Sequence, residues 1–113
     1  MVVVNTCGFL QSACEEAIDN ILEMAELKRA GQVQKILVTG CMTQRYKQDV
    51  LNELPEVDGI LGTGSYGDIC AAIDEVMAGR RENHIPEADA AIVYGKKRSV
   101  TTGGHYAYLK IAE

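Results

Sequence analysis

Val2-Val3-Val4-Asn5-Thr6-Cys7-Gly8 and Ile36-Leu37-Val38-Thr39-Gly40-Cys41-Met42 are the two stretches whose reading decides the fold of this chain. In each, an apolar, largely β-branched run gives way to two small or polar residues, and then a thiol follows. β-branched side chains suit the pleated surface of a strand. A short run that is apolar on both faces reads as a strand buried in a parallel sheet. If both strands share that sheet, Cys7 and Cys41 emerge at its carboxyl-end rim, where open α/β sheets bind their ligands.

The grammar repeats outward from these strands. After the first, Ser12 and Glu15 have the spacing of a capping box, which predicts a helix start. Residues 13–30 then place Cys14, Ile18, Ile21, Leu22 and Ala25 on one helical face, with Lys28 and Arg29 at the carboxyl end and Gly31 as the cap. After the second strand, a polar turn from Met42 to Arg45 leads into a shorter helix from Tyr46 to Glu53, closed by Pro55. A third strand from Gly59 to Gly62 precedes a helix over Tyr66 to Ala78, with Ile69, Cys70, Ile73, Val76 and Met77 on one face and Gly79 ending it.

Strands alternating with helices predict an α/β fold, a three-layer open parallel sheet joined by right-handed crossovers. Residues 80–91 are polar and contain Pro86, so they read as a linker; 91–94 and 105–111 read as extended. The division expected is an α/β domain over 1–79, a linker over 80–104, and the first strand of a further domain over 105–113. Because Met1 leads straight into a buried strand and Glu113 follows no stop signal, the sequence reads as a piece of something longer.

At 113 residues, 47% apolar and 24% charged, the composition suits one soluble domain with a real core. A net charge of −5 argues against direct nucleic-acid binding. The small basic groups at Arg80–Arg81 and Lys96–Arg98 read as solvated loops. With neither a signal-peptide pattern nor a membrane-length apolar run, a cytoplasmic location and no membrane partner are expected.

Four cysteines without a secretory signal point to reduced thiols. Cys14 and Cys70 sit among apolar helix positions and read as core. Cys7 and Cys41 differ, each following a strand and neighbouring a glycine that lets backbone approach a bulky ligand. The residues alone leave three readings of that pair: ligands of a metal or iron–sulfur cluster, a redox pair, or plain loop cysteines. Two thiolates are too few for a closed zinc site or a full cluster, so further ligands would have to come from elsewhere. His84 and His105 have no spaced partner and read as solvated or structural. Gly62-Thr63-Gly64-Ser65 lacks the lysine of a phosphate-binding loop and reads as a tight turn. Glu15, Glu16, Asp19, Glu23 and Glu26 form the wet side of the first helix.

Beyond these patterns, the wording of the motifs is itself specific. Val3-Val4-Asn5-Thr6-Cys7-Gly8-Phe9, Ile21-Leu22-Glu23-Met24-Ala25 and Val38-Thr39-Gly40-Cys41-Met42-Thr43-Gln44-Arg45-Tyr46 resemble the amino-terminal domain of radical S-adenosylmethionine methylthiotransferases. Leu54-Pro55-Glu56-Val57-Asp58, Gly62-Thr63-Gly64 and His105-Tyr106-Ala107-Tyr108-Leu109-Lys110-Ile111-Ala112-Glu113 continue the resemblance over nearly the whole chain. Gly8-Phe9 and Gln44-Arg45-Tyr46 favour the RimO-type branch, which modifies an aspartate of a small-subunit ribosomal protein. The alternatives are the MiaB-type branch, which acts on tRNA, and a flavodoxin-like binding or redox module without a cluster.

The resemblance implies an auxiliary 4Fe–4S cluster held by three cysteines, of which Cys7 and Cys41 match the second and third. It also implies a second 4Fe–4S cluster and S-adenosylmethionine in a radical-generating barrel expected beyond Glu113. The first auxiliary ligand is expected in an earlier strand–loop unit. By the same resemblance, the ribosomal-protein substrate is engaged by parts outside this chain, and this piece alone is expected to be inactive.

Overall fold

The computed structural model describes residues 1–84 and 103–106, and places four parallel strands in one sheet in the order β1-β2-β3-β4. These are β1 (Val2–Thr6), β2 (Ile36–Gly40), β3 (Gly59–Leu61) and β4 (Glu82–His84). Register is set at the first pair, where Val2 faces Ile36 and Thr6 faces Gly40, and at the second, where Val38 faces Ile60.

Strand alternation divides the core in two. Ile36, Val38 and Ile60 turn to one face, where they meet Ala17, Ile21 and Ala25 of α1 (Gln11–Arg29) and Val50 of α3 (Lys47–Glu53). Leu37 and Leu61 turn to the other, against Ala72 and Val76 of α4 (Ile69–Met77). Each fully buried branched side chain contributes about 1.5–3 kcal/mol. Helices therefore cover both faces, giving the three-layer open α/β sheet that the alternation of elements predicts.

The connections from β2 to β3 and from β3 to β4 step the same way across the sheet, yet α3 and α4 lie on opposite faces. The two crossovers therefore have opposite hands, whereas the general rule makes both right-handed. The chain changes face through a 3₁₀ segment, Thr63–Asp68, between β3 and α4.

Several local expectations are corrected. α1 begins at Gln11 with Leu10 as its N-cap and no side-chain cap; Glu15 accepts a hydrogen bond from Gln11 Nε2 at 3.0 Å. The buried stripe of α1 runs through Ala17, Ile21 and Ala25, while Ile18 and Leu22 stay exposed. Small alanines let the helix sit close to the sheet, which turns the bulkier residues outward. Met42–Arg45 is not a turn but part of a short helix, α2 (Cys41–Arg45). Cys70 is exposed, not core, because α4 packs through Ala72 and Val76 with Ile69 and Ile73 beside them.

β4 falls within the stretch that its polar composition marks as linker. An edge strand is held by backbone pairing and needs no apolar run. His105 lies in a turn, with its ring edge-on to Tyr106 at 5.0 Å, rather than beginning a strand. The expected strands at 91–94 and 107–111 lie outside the described residues.

Candidate metal centre

β1 and β2 end side by side, Thr6 opposite Gly40, so the next residues on each are the two candidate thiols. Gly40 has φ +111°, and a Cβ there would lie 2.1 Å from the Thr6 carbonyl oxygen. Only glycine allows both that left-handed backbone and that approach. The Thr6 hydroxyl donates to the Thr39 carbonyl at 2.6 Å, tying the two strand ends together in a buried position.

Past this point the chain paths diverge but stay in contact. Cys41 opens α2, and its sulfur accepts a hydrogen bond from the Gly8 N–H at 2.8 Å while lying 3.8 Å from the Thr6 carbonyl oxygen. The buried Thr43 hydroxyl lies 2.8 Å from the Gly40 carbonyl and 2.9 Å from the Leu61 carbonyl, so its single proton anchors α2 to the ends of β2 and β3. Gly8 is needed where the two loops meet, because a Cβ there would lie 2.7 Å from the Met42 Cα.

Cys7 is exposed and Cys41 half-buried. The Phe9 N–H, the Cys41 thiol and the Leu10 N–H all favour charge on the Cys7 sulfur, and together they hold its pKa below the ordinary thiol value against a small opposing effect of burial. Phe9 and Leu10 lead into α1, so the segment that starts the helix also places two backbone N–H groups against the Cys7 sulfur.

The structure brings together Cys7 and Cys41. Cys14, half-buried on α1, lines an apolar groove of about 560 Å³ with Phe9, Leu10, Ile18, Met42 and Tyr46. Cys70 stands on α4, across the sheet. Among the described residues, no group of three or more histidine, cysteine, aspartate or glutamate side chains is arranged to hold a metal ion. The pair thus offers two thiol donors at an exposed rim, and a complete set needs donors beyond the described residues. Among the described residues no helix is long and apolar enough to cross a membrane.

Sequence reasoning missed Thr6 and Thr43, whose hydroxyls lock the strand ends. The signal was present, since a threonine lies within two residues of each thiol, at Thr6, Thr39 and Thr43.

The uncharacterized protein family UPF0004 matches residues 1–62, over half of the chain. Among curated proteins, the whole chain is 50% identical to a protein of Lachnoclostridium phytofermentans named ribosomal protein uS12 methylthiotransferase RimO, covering 26% of that protein. It is 43% identical to one of the same name from Anaeromyxobacter, covering 24% of it, and 41% identical to one from Clostridioides difficile, covering 26%. The chain thus spans about a quarter of the length of these relatives. No solved structure matches.

Proposed function

Since the chain belongs to the UPF0004 family, we propose that it is part of a methylthiotransferase acting on ribosomal protein uS12, and that its task there is to present two thiolates to an auxiliary 4Fe–4S cluster. The observation that carries this reading is the adjacency of Cys7 and Cys41 at the carboxyl-end rim, with backbone N–H groups turned to their sulfurs. Relatives named for uS12 along the whole chain support the ribosomal-protein branch over the tRNA branch.

The donor set fits the cluster in kind, because thiolates are the ordinary ligands of iron–sulfur centres, and falls one short of three in number. Bound by three thiolates, such a cluster keeps one iron position free to present sulfur. The chain's own residues supply charge and position. The Phe9 N–H, the Cys41 thiol and the Leu10 N–H favour charge on the Cys7 sulfur, the Gly8 N–H steadies Cys41, and the Thr6 and Thr43 hydroxyls fix the strand ends from which both emerge. The third thiolate, the radical-generating cluster, S-adenosylmethionine and the contacts to uS12 belong, on this reading, to the other three-quarters of the protein, and the present chain alone has no transferase activity.

Anaerobic reconstitution of the chain with iron and sulfide tests the site. Bound iron, acid-labile sulfide and broad visible absorbance should fall in Cys7→Ala and in Cys41→Ala and persist in Cys14→Ala and Cys70→Ala. Equal loss in all four variants would refute the assignment. An assay of the protein together with its remaining segments should give methylthiolated uS12, and methylthiolated tRNA instead would overturn the substrate.

A further inference from the structure

Cys7 and Cys41 are the next residues after the Thr6–Gly40 pair that ends the β1–β2 ladder, with Cys41 opening α2. Strands in a sheet lie about 4.8 Å apart, and a disulfide spans Cα atoms about 4.4–6.8 Å apart. The Cys41 sulfur is already turned toward the other strand end, 2.8 Å from the Gly8 nitrogen and 3.8 Å from the Thr6 carbonyl oxygen, the atoms that flank Cys7 on either side. Cys14 and Cys70 occupy different places, one in the groove beside α1 and one on the far face. We propose that Cys7 and Cys41 form a reversible dithiol–disulfide pair, closed by a low-molecular-weight disulfide, whose closed form withholds both sulfurs from metal. The inference goes beyond the cluster reading and does not depend on it.

The exchange proceeds in two steps. Cys7 is the more exposed sulfur and attacks first. Its thiolate displaces one sulfur of glutathione disulfide, so the oxidant's S–S bond breaks, a Cys7–glutathione bond forms, and one glutathione leaves as thiolate and takes up a proton. Cys41 then loses its proton to solvent and attacks the Cys7 sulfur, releasing the second glutathione. Two protein thiols are oxidised by two electrons, and one glutathione disulfide is reduced to two glutathione molecules.

The fold must choose this pair against chain statistics. In an unfolded chain the shorter loop closes more readily, which favours Cys7 with Cys14 over Cys7 with Cys41.

The test incubates the metal-free chain with graded mixtures of oxidised and reduced glutathione, quenches with an alkylating agent, and maps cysteine peptides by mass spectrometry. Expected is the paired loss of alkylation at Cys7 and Cys41, with their peptides linked to each other and neither linked to Cys14 or Cys70. Cys41→Ser should stop at a glutathione adduct on Cys7, and the parent in denaturant should shift toward Cys7–Cys14. A Cys7–glutathione adduct that accumulates in the parent without closing, or linkage of Cys7 to Cys14 or Cys70 in the folded chain, would overturn the proposal. So would the same Cys7–Cys41 preference in denaturant. Thiol counting and iron content are separate readouts, so failure here and failure of the cluster reading are distinguishable.

Discussion

Replacing Gly8 by alanine strikes the contact that brings the two thiol-bearing loops together. The added Cβ would lie 2.7 Å from Met42 Cα, 2.9 Å from Met42 N and 3.2 Å from the Cys41 carbonyl carbon. Carbon atoms in contact settle at about 3.5–4.0 Å, so the loops must part by about 0.8–1.3 Å. All three neighbouring atoms are backbone, so no rotamer change relieves the overlap. α2 is also the fixed side, with Met42 buried and Thr43 bonded to two strand ends. The loop from the buried Gly8 to the exposed Phe9 and Leu10 must therefore move, and the 2.8 Å bond from the Gly8 N–H to the Cys41 sulfur is lost with it. Overpacking of this kind costs about 1–3 kcal/mol and a lost hydrogen bond about 1 more. The expected destabilisation is about 2–4 kcal/mol, a fall of roughly 8–20 °C in Tm for a domain of this size.

The assay is thermal unfolding of the reduced chain followed by far-ultraviolet circular dichroism, beside the rate of Cys7–Cys41 closure. Gly31→Ala is the control. Gly31 has φ +75° but nothing within 4 Å of a new Cβ, so that variant should lose only the left-handed backbone cost of about 1–2 kcal/mol and close its thiols normally. A Gly8→Ala chain that unfolds within about 0.5 kcal/mol of the parent and closes at the parent rate would refute the contact on which the site is built.

Two further outcomes follow from neighbouring features. Gly40→Ala combines a φ of +111° with a Cβ 2.1 Å from the Thr6 carbonyl oxygen, and should cost more than about 4 kcal/mol, read as loss of the cooperative transition; a normal transition would contradict the β1–β2 register. Burial pushes the Asp58 carboxyl up, but hydrogen bonds from Lys28, Lys35 and the Ile36 N–H outweigh it and hold it below the ordinary carboxylate range. A lowered folded value means that stability is fully present above the unfolded carboxyl pKa of about 4 and is lost as pH falls through the folded value. Asp58→Asn should lower Tm at neutral pH and flatten the acid limb below about pH 4, and an unchanged acid slope would show that another carboxylate governs it.

Much of this was legible because it depends on short-range pattern. The runs at Val2–Val4 and Ile36–Val38 both read as strands, and the cysteines after them had to reach one rim once the strands were parallel. Of the two only β2 is buried, whereas β1 is the sheet edge, with Val3 exposed and Val2 and Val4 half-buried, a correction to its reading as a buried strand. What escaped depends on how elements meet. The exposure of Ile18, Leu22 and Cys70 follows from which small residues, Ala17, Ala25 and Ala72, let each helix approach the sheet. Ser12 and Glu15 have capping-box spacing, yet the helix begins earlier, at Gln11, and no side chain caps it. β4 was hidden because pairing at a sheet edge is a backbone property that composition does not record.

The sheet core, as well as the contact at Gly8, holds the two sulfurs together. A slip of edge strand β1 by one residue along β2 would separate Cys7 from Cys41 and also turn Val2 and Val4 away from the α1-side core they pack against. The choice of thiol partner should therefore follow global unfolding. Ile21→Ala empties a fully buried position under α1 and should cost about 2–5 kcal/mol. In that variant the native Cys7–Cys41 linkage should persist in water, and the change to Cys7–Cys14 should move to lower denaturant in step with the unfolding midpoint. If the change instead precedes the midpoint in parent and variant alike, the thiol rim opens locally while the sheet stays folded, and the core does not set the pairing.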